Sequence, residues 1–121
     1  MKMKKLIPLI STGSLVELKD FYMRHFDFRP TMESEAYLGL ISDGGGELAF
    51  MVGDAKSSGY FDGKGFTLCF EVANVDAEAA RLTAANLPIE MPLQDNPWGD
   101  RSIIFRDPIG IYLYVYQLKT S

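Results

Sequence analysis

Three tyrosines, Tyr112, Tyr114 and Tyr116, stand at alternate positions near the end of the chain. If residues 111–117 form a strand, all three rings project from one face, because successive strand side chains point to opposite sides. Such a row offers flat stacking surfaces together with hydroxyl groups. Its competing reading is packing against a partner subunit. Trp98 sits in the loop before this region, placed either as a lid over a planar ligand or as a staple for the turn. Other reactive side chains are sparse. Cys69 is the single cysteine; with no basic neighbour in the sequence it is expected to be a small buried apolar residue. His25 is the single histidine and is expected on the surface of a helix C-terminal turn, where a polar or cationic side chain suits the dipole. Recognition by stacking is better provided for here than nucleophilic catalysis.

The surrounding pattern supplies elements to hold these groups. Residues 6–11 are apolar and end in turn residues, as a buried strand does. Ser14 and Glu17 have capping-box spacing, and Leu15, Leu18, Tyr22 and Phe26 follow at helical intervals, so a helix is expected over 14–26. Strands are expected over 36–41 and 47–52, joined by the turn at 43–46, with a short irregular strand within 30–35. Residues 54–65, rich in Gly, Ser, Asp and Lys, read as a linker. The order then repeats. A strand is expected over 66–72, then a helix to about Asn86, capped by Asn74 or Asp76 and burying Val75, Ala79 and Leu82. Strands follow over 89–91, 101–105 and 111–117, the last two joined by a turn at 107–110. The expectation is one α+β domain, residues 1–121, made of a first strand-helix-strand-strand-strand module (1–53), the linker, and a second such module (66–121). Each helix covers one face of its sheet, leaving the other face for a ligand, a partner or the other half.

At 121 residues, with 47% hydrophobic and 23% charged residues, the chain has the composition of an ordinary globular domain. A net charge of −4 and a sequence pI near 4.9 argue against general affinity for nucleic acid or anionic membrane, and favour a cationic over an anionic ligand. The lysine-rich start is followed by too short an apolar run for a secretory leader, and one cysteine forms no internal disulfide. A cytoplasmic location is expected.

Read in order, several segments resemble the glyoxalase/bleomycin-resistance superfamily, also called vicinal oxygen chelate. They are Gly13-Ser14-Leu15 with Lys19-Asp20-Phe21-Tyr22, Glu47-Leu48-Ala49-Phe50, Phe70-Glu71-Val72 with Val75-Asp76-Ala77, and residues 96–101 followed by Phe105-Arg106-Asp107-Pro108-Ile109-Gly110. The resemblance spans nearly the whole chain. It implies two βαβββ modules with curved mixed sheets, a homodimer, and a concave face where metal-dependent members place His, Gln or Glu ligands. Counted from the motifs, those positions fall on Ile7, Glu47, Thr67 and Tyr114. Only Glu47 is a strong donor, so no metal and no cofactor is expected, and metal-dependent glyoxalase or extradiol dioxygenase chemistry is not.

Alternation from these positions fills in the expected ligand-binding face: Ile7 brings Leu9, Glu47 brings Ala49 and Met51, Thr67 brings Cys69, and Tyr114 brings Tyr112 and Tyr116, with Trp98 at its border. The opposite face, containing Leu6, Leu48, Phe50, Leu68, Phe70, Ile111, Leu113 and Val115, belongs under the helices. Arg101 is expected to pair with Asp107 or Asp100 across the turn. The leading expectation is a protein that binds a small planar, aromatic or cationic molecule, as bleomycin- and mitomycin-binding members of that superfamily do. One alternative is an enzyme with Glu47 as the catalytic base and Tyr112 or Tyr114 as acid. The other is a non-catalytic interaction subunit.

Overall fold

The computed structural model describes residues 1–53, 61–62 and 64–119. Most of the expected linker, residues 54–60 and 63, lies outside the described residues. The chain divides into two compact units, Met1–Phe61 and Asp62–Ser121.

In the first unit the order is β1 (Leu9–Thr12), α1 (Val16–Phe26), β2 (Arg29–Glu33), β3 (Tyr37–Ile41) and β4 (Glu47–Val52). These strands form a four-stranded sheet in the order β1-β4-β3-β2. The pairing of β1 with β4 is parallel and the others are antiparallel. The helix is what allows β1 to return parallel beside β4. Leu48 and Phe50 lie opposite Leu40 and Leu38 of β3, and all four are buried. Tyr22 of α1 packs over them, its ring 5.6 Å from Phe50 and 5.5 Å from Phe28.

The second unit repeats the plan with β5 (Thr67–Glu71), α2 (Val75–Ala84), β6 (Ile89–Asp95), β7 (Asp100–Arg106) and β8 (Tyr112–Leu118). Its sheet runs β5-β8-β7-β6, again with a parallel first pair. Val75, Ala79 and Leu82 are buried on the inner face of α2, as their spacing predicts. Ile103 and Phe105 of β7 lie opposite Val115 and Leu113 of β8, all buried. The α+β architecture of two βαβββ modules is therefore present.

Local departures have local causes. Leu15, not Ser14, occupies the N-cap of α1, with helical dihedrals (φ −102°, ψ −21°) and no side-chain cap. A capping side chain needs extended dihedrals at that position, so the Ser14–Glu17 capping box does not form. The expected cap of α2 does form: the Asn74 side chain accepts from Ala77 N at 3.1 Å. Gln117 of β8 adds to it, its Oε1 accepting from Val75 N at 2.9 Å. Pairing of β1 begins only at Leu9, so Leu6, expected beneath the helix, is 78% exposed. Strand β6 runs four residues beyond its expected end at Met91 because it is an edge strand, where the missing N–H of Pro92 is tolerated. No helix among the described residues is long and apolar enough to cross a membrane.

Candidate functional site

Strand β8 carries the tyrosines, and its neighbours decide what surrounds them. On one side β5 sets Thr67, Cys69 and Glu71 opposite Tyr112, Tyr114 and Tyr116. On the other side β7 sets Arg106, Ile104 and Ser102 opposite the same three residues. Residues directly opposite share a face, so these nine side chains form one surface. The alternate residues Leu113, Val115, Ile103 and Phe105 are turned into the core. The Tyr114 and Tyr116 rings lie 5.6 Å apart at 45°. Cys69 is exposed, contrary to the expectation of burial. The reason is that β5 is an edge strand paired only with β8, leaving Thr67, Cys69 and Glu71 uncovered.

At one end of this face the chain turns tightly between β6 and β7. Asn96 N donates to Asp100 O at 2.8 Å and Gly99 N donates to Asn96 O at 3.2 Å. Gly99 has φ +110°, a conformation that favours glycine. The turn gathers a polar cluster. The Tyr114 hydroxyl donates to Asp100 Oδ2 at 2.7 Å, and Asn96 Nδ2 donates to Asp100 Oδ1 at 2.6 Å and to Ser102 Oγ at 2.8 Å. The Tyr114 oxygen accepts from Trp98 Nε1 at 3.2 Å, and Asn96 Nδ2, its two hydrogens directed to the nearer Asp100 and Ser102, lies 3.3 Å from it. Asn96, Asp100 and Ser102 are buried, at 6%, 6% and 2% exposure, whereas Trp98 is 70% exposed.

Burial pushes the Asp100 carboxyl up, but hydrogen bonds from Asn96, Tyr114 and Trp98 outweigh it and hold the group below the ordinary aspartate range. All three of those partners are neutral. At the other end of the face, Tyr112 donates to Glu90 at 2.9 Å, which raises the phenol's pKa. Glu90 in turn pairs with Arg106 at 3.2 Å. Burial, then the charge of Glu71, push Tyr116 up.

The first unit holds the remaining expected residues on its own sheet. Leu9 lies opposite Ala49, and Ser11 opposite Met51. Leu9 is 51% exposed, Ala49 is fully buried, and Met51 is half-buried. Ile7 precedes β1 and is half-buried. The Glu47 carboxylate pairs with Lys5 at 2.9 Å, its side chain 13% exposed. The residues expected on one face thus fall into two sets, one on each sheet.

The donor set does not fit a family-type metal ion. Ile7 has no side-chain donor atom, Glu47 is engaged by an ammonium group, and the Tyr114 hydroxyl already donates to Asp100 and accepts from Trp98. Among the described residues, no three His, Cys, Asp or Glu side chains gather as metal ligands would.

Arg101 does not bridge the turn. It pairs with Asp76 of α2 at 3.0 Å and with Asp95 of β6 at 3.3 Å, because its position on β7 faces the α2 side, away from Asp100. Lys119 completes this chain of ion pairs at Asp95, 3.1 Å. His25 lies half-buried in the last turn of α1, its ring edge-on to Phe21 at 5.2 Å. Asp100, Asn96 and Ser102 were missing from the sequence-based site. The available signal was the alternation along β7, where Asp100 and Ser102 occupy one parity and Ile103 and Phe105 the other.

The family described as Glyoxalase/Bleomycin resistance protein/Dioxygenase superfamily matches residues 7–115. Solved structures are similar over nearly the whole chain. TioX from Micromonospora sp. ML1 is 25% identical, with a TM-score of 0.72, covering 96% of this chain and 99% of that one. A glyoxalase/bleomycin resistance protein/dioxygenase from Nocardioides is 17% identical, with a TM-score of 0.79, covering 100% and 87%. A lactoylglutathione lyase from Agrobacterium tumefaciens is 19% identical, with a TM-score of 0.72, covering 96% and 95%. The last two likenesses concern the fold alone. No curated protein sequence matches the chain.

Proposed function

The chain belongs to the glyoxalase/bleomycin resistance protein/dioxygenase superfamily, and from that premise we propose that it binds a small planar or aromatic molecule on the tyrosine face of its second sheet, without a metal ion at the family positions. One observation carries this reading. Tyr114 and Tyr116 present adjacent, half-buried rings on the face of the sheet opposite its apolar core side, and the largely exposed Trp98 reaches Tyr114 from the hairpin tip. Three aromatic groups around a surface with a few fixed polar atoms is the composition expected of a small-molecule site. The donor set at Ile7, Glu47, Thr67 and Tyr114 favours binding over metal-assisted turnover. Glu47 is paired with Lys5 and belongs to the other sheet, not that of the tyrosine strand.

The same reading makes the working protein a cytoplasmic homodimer. Leu6 and Leu9, exposed at the start of the edge strand β1, support a subunit contact, and the single cysteine suits a reducing compartment.

Calorimetric titration with planar aromatic compounds tests the binding claim. Stoichiometric binding that is lost in Tyr114→Ala is the expected result. Unchanged affinity in that variant removes the tyrosine face from the site.

A further inference from the structure

The hydrogen-bond directions at Tyr114 restrict what can bind beside it. A phenol has one donor hydrogen and two acceptor lone pairs. The hydrogen of Tyr114 is committed to Asp100 Oδ2 at 2.7 Å. One lone pair faces Asn96 Nδ2 at 3.3 Å, a buried amide whose two hydrogens are directed to Asp100 and Ser102. The other is met by Trp98 Nε1 at 3.2 Å, and Trp98 is the exposed member of the cluster. Of the three partners, the indole alone can leave into water at little cost. What its departure opens is an acceptor, seated against a buried carboxylate.

We infer that Tyr114 and Asp100 together form a specificity-determining acceptor, selecting planar ligands that bring an N–H donor on a cationic group to the position of the Trp98 indole N–H. This inference rests on the proposed reading of the tyrosine face and names the ligand chemistry within it. Asp100 acts as the positioning residue. By taking the phenolic hydrogen it leaves a lone pair facing the Trp98 position, and its charge favours a cation there. Its neighbours do not cancel that charge: Asn96, Tyr114 and Trp98 are neutral, and none of the ion pairs among the described residues includes Asp100. Arg106, the cation on the same face, lies at the far end beside Tyr112 and is occupied by Glu90. A carboxylate or another acceptor-only group at the Trp98 position would meet lone pairs and a negative charge, and is rejected.

Three probes sharing one naphthalene ring separate the possibilities by calorimetry: naphthalene-2-amidinium (a planar cation with N–H donors), naphthalene-2-carboxylate (a planar acceptor-only anion) and 2-naphthyltrimethylammonium (a bulkier cation without N–H). The amidinium is expected to bind about tenfold or more tighter than either other probe, the equivalent of one charge-assisted hydrogen bond. Asp100→Asn should narrow that preference to about threefold or less. Tyr114→Phe, which keeps the ring should the Asp100 variant fail to fold, should narrow it as well. The single tryptophan gives one indole N–H resonance, and it should shift on adding the amidinium. Equal binding of all three probes overturns the acceptor inference and leaves the stacking reading standing. Equal binding of the two cations also overturns it, because charge alone is then read. Binding of no probe overturns the stacking reading, and the inference with it.

Discussion

Replacing Tyr114 with phenylalanine removes one oxygen and leaves the stacking ring in place, so its effect on stability isolates the polar cluster. The lost hydroxyl is the donor to Asp100 Oδ2 at 2.7 Å, and Asp100 is only 6% exposed. Oδ1 keeps its bond from Asn96 at 2.6 Å, while Oδ2 loses a protein donor. Hydrogen bonds to charged groups contribute about 1.5–3 kcal/mol. Tyr114 is half-buried, so water can replace part of the bond, and the lower part of that range applies, about 1.5–2 kcal/mol. Trp98 loses its acceptor too, but at 70% exposure it is resolvated at little cost. With a urea slope of about 2 kcal/mol per molar, the unfolding midpoint should fall by roughly 0.7–1 M.

The pH dependence provides a second check on the same variant. The folded Asp100 carboxyl lies below its ordinary value of 3.8, so it contributes stability that is present above that value and lost as pH falls through the folded value. Tyr114→Phe removes one cause of that depression. The stability gap between the two proteins should therefore be full at neutral pH and shrink as pH falls below the ordinary aspartate range. Urea unfolding followed by circular dichroism at neutral and acidic pH measures both quantities. A neutral-pH gap below about 0.5 kcal/mol, or a gap that does not change with acid, refutes the argument that Tyr114 stabilises a buried charge.

The remaining expectations concern the scaffold. Asn74→Ala removes the side-chain acceptor for Ala77 N and should cost about 1 kcal/mol in urea unfolding. Because Gln117 still caps Val75 N, the loss should not exceed the usual range for one cap, and a loss near zero would mean the helix start is held by Gln117 alone. Phe105, fully buried on β7, should cost about 3–5 kcal/mol when changed to alanine. A loss under about 1 kcal/mol would place that strand's apolar parity on the wrong face.

Much of this arrangement was legible in the sequence because burial imposes a strict period. Tyr112, Tyr114 and Tyr116 alternate with Leu113 and Val115, and the observed pairings put the two sets on opposite faces. The repeated βαβββ order was equally legible, since both helices carry apolar residues at helical spacing. What escaped depended on contacts between elements distant in sequence. Arg101 found Asp76 on a helix 25 residues away, and only the failure of Ser14 to cap α1 was local, set by the helical dihedrals of Leu15. The exposure of Cys69 followed from the edge position of β5, which no local pattern reveals. The Asp100 cluster was hidden for a related reason. Its members, Asn96, Asp100, Ser102 and Tyr114, converge only when the β6–β7 turn brings them beside β8.

The most direct test of the central claim is calorimetric titration of chelator-treated protein with naphthalene-2-amidinium, repeated with zinc and nickel added. Metal-independent binding of one ligand per chain, absent in Tyr114→Ala, is the predicted result. Binding that requires the added metal, or that persists unchanged in Tyr114→Ala, would contradict it.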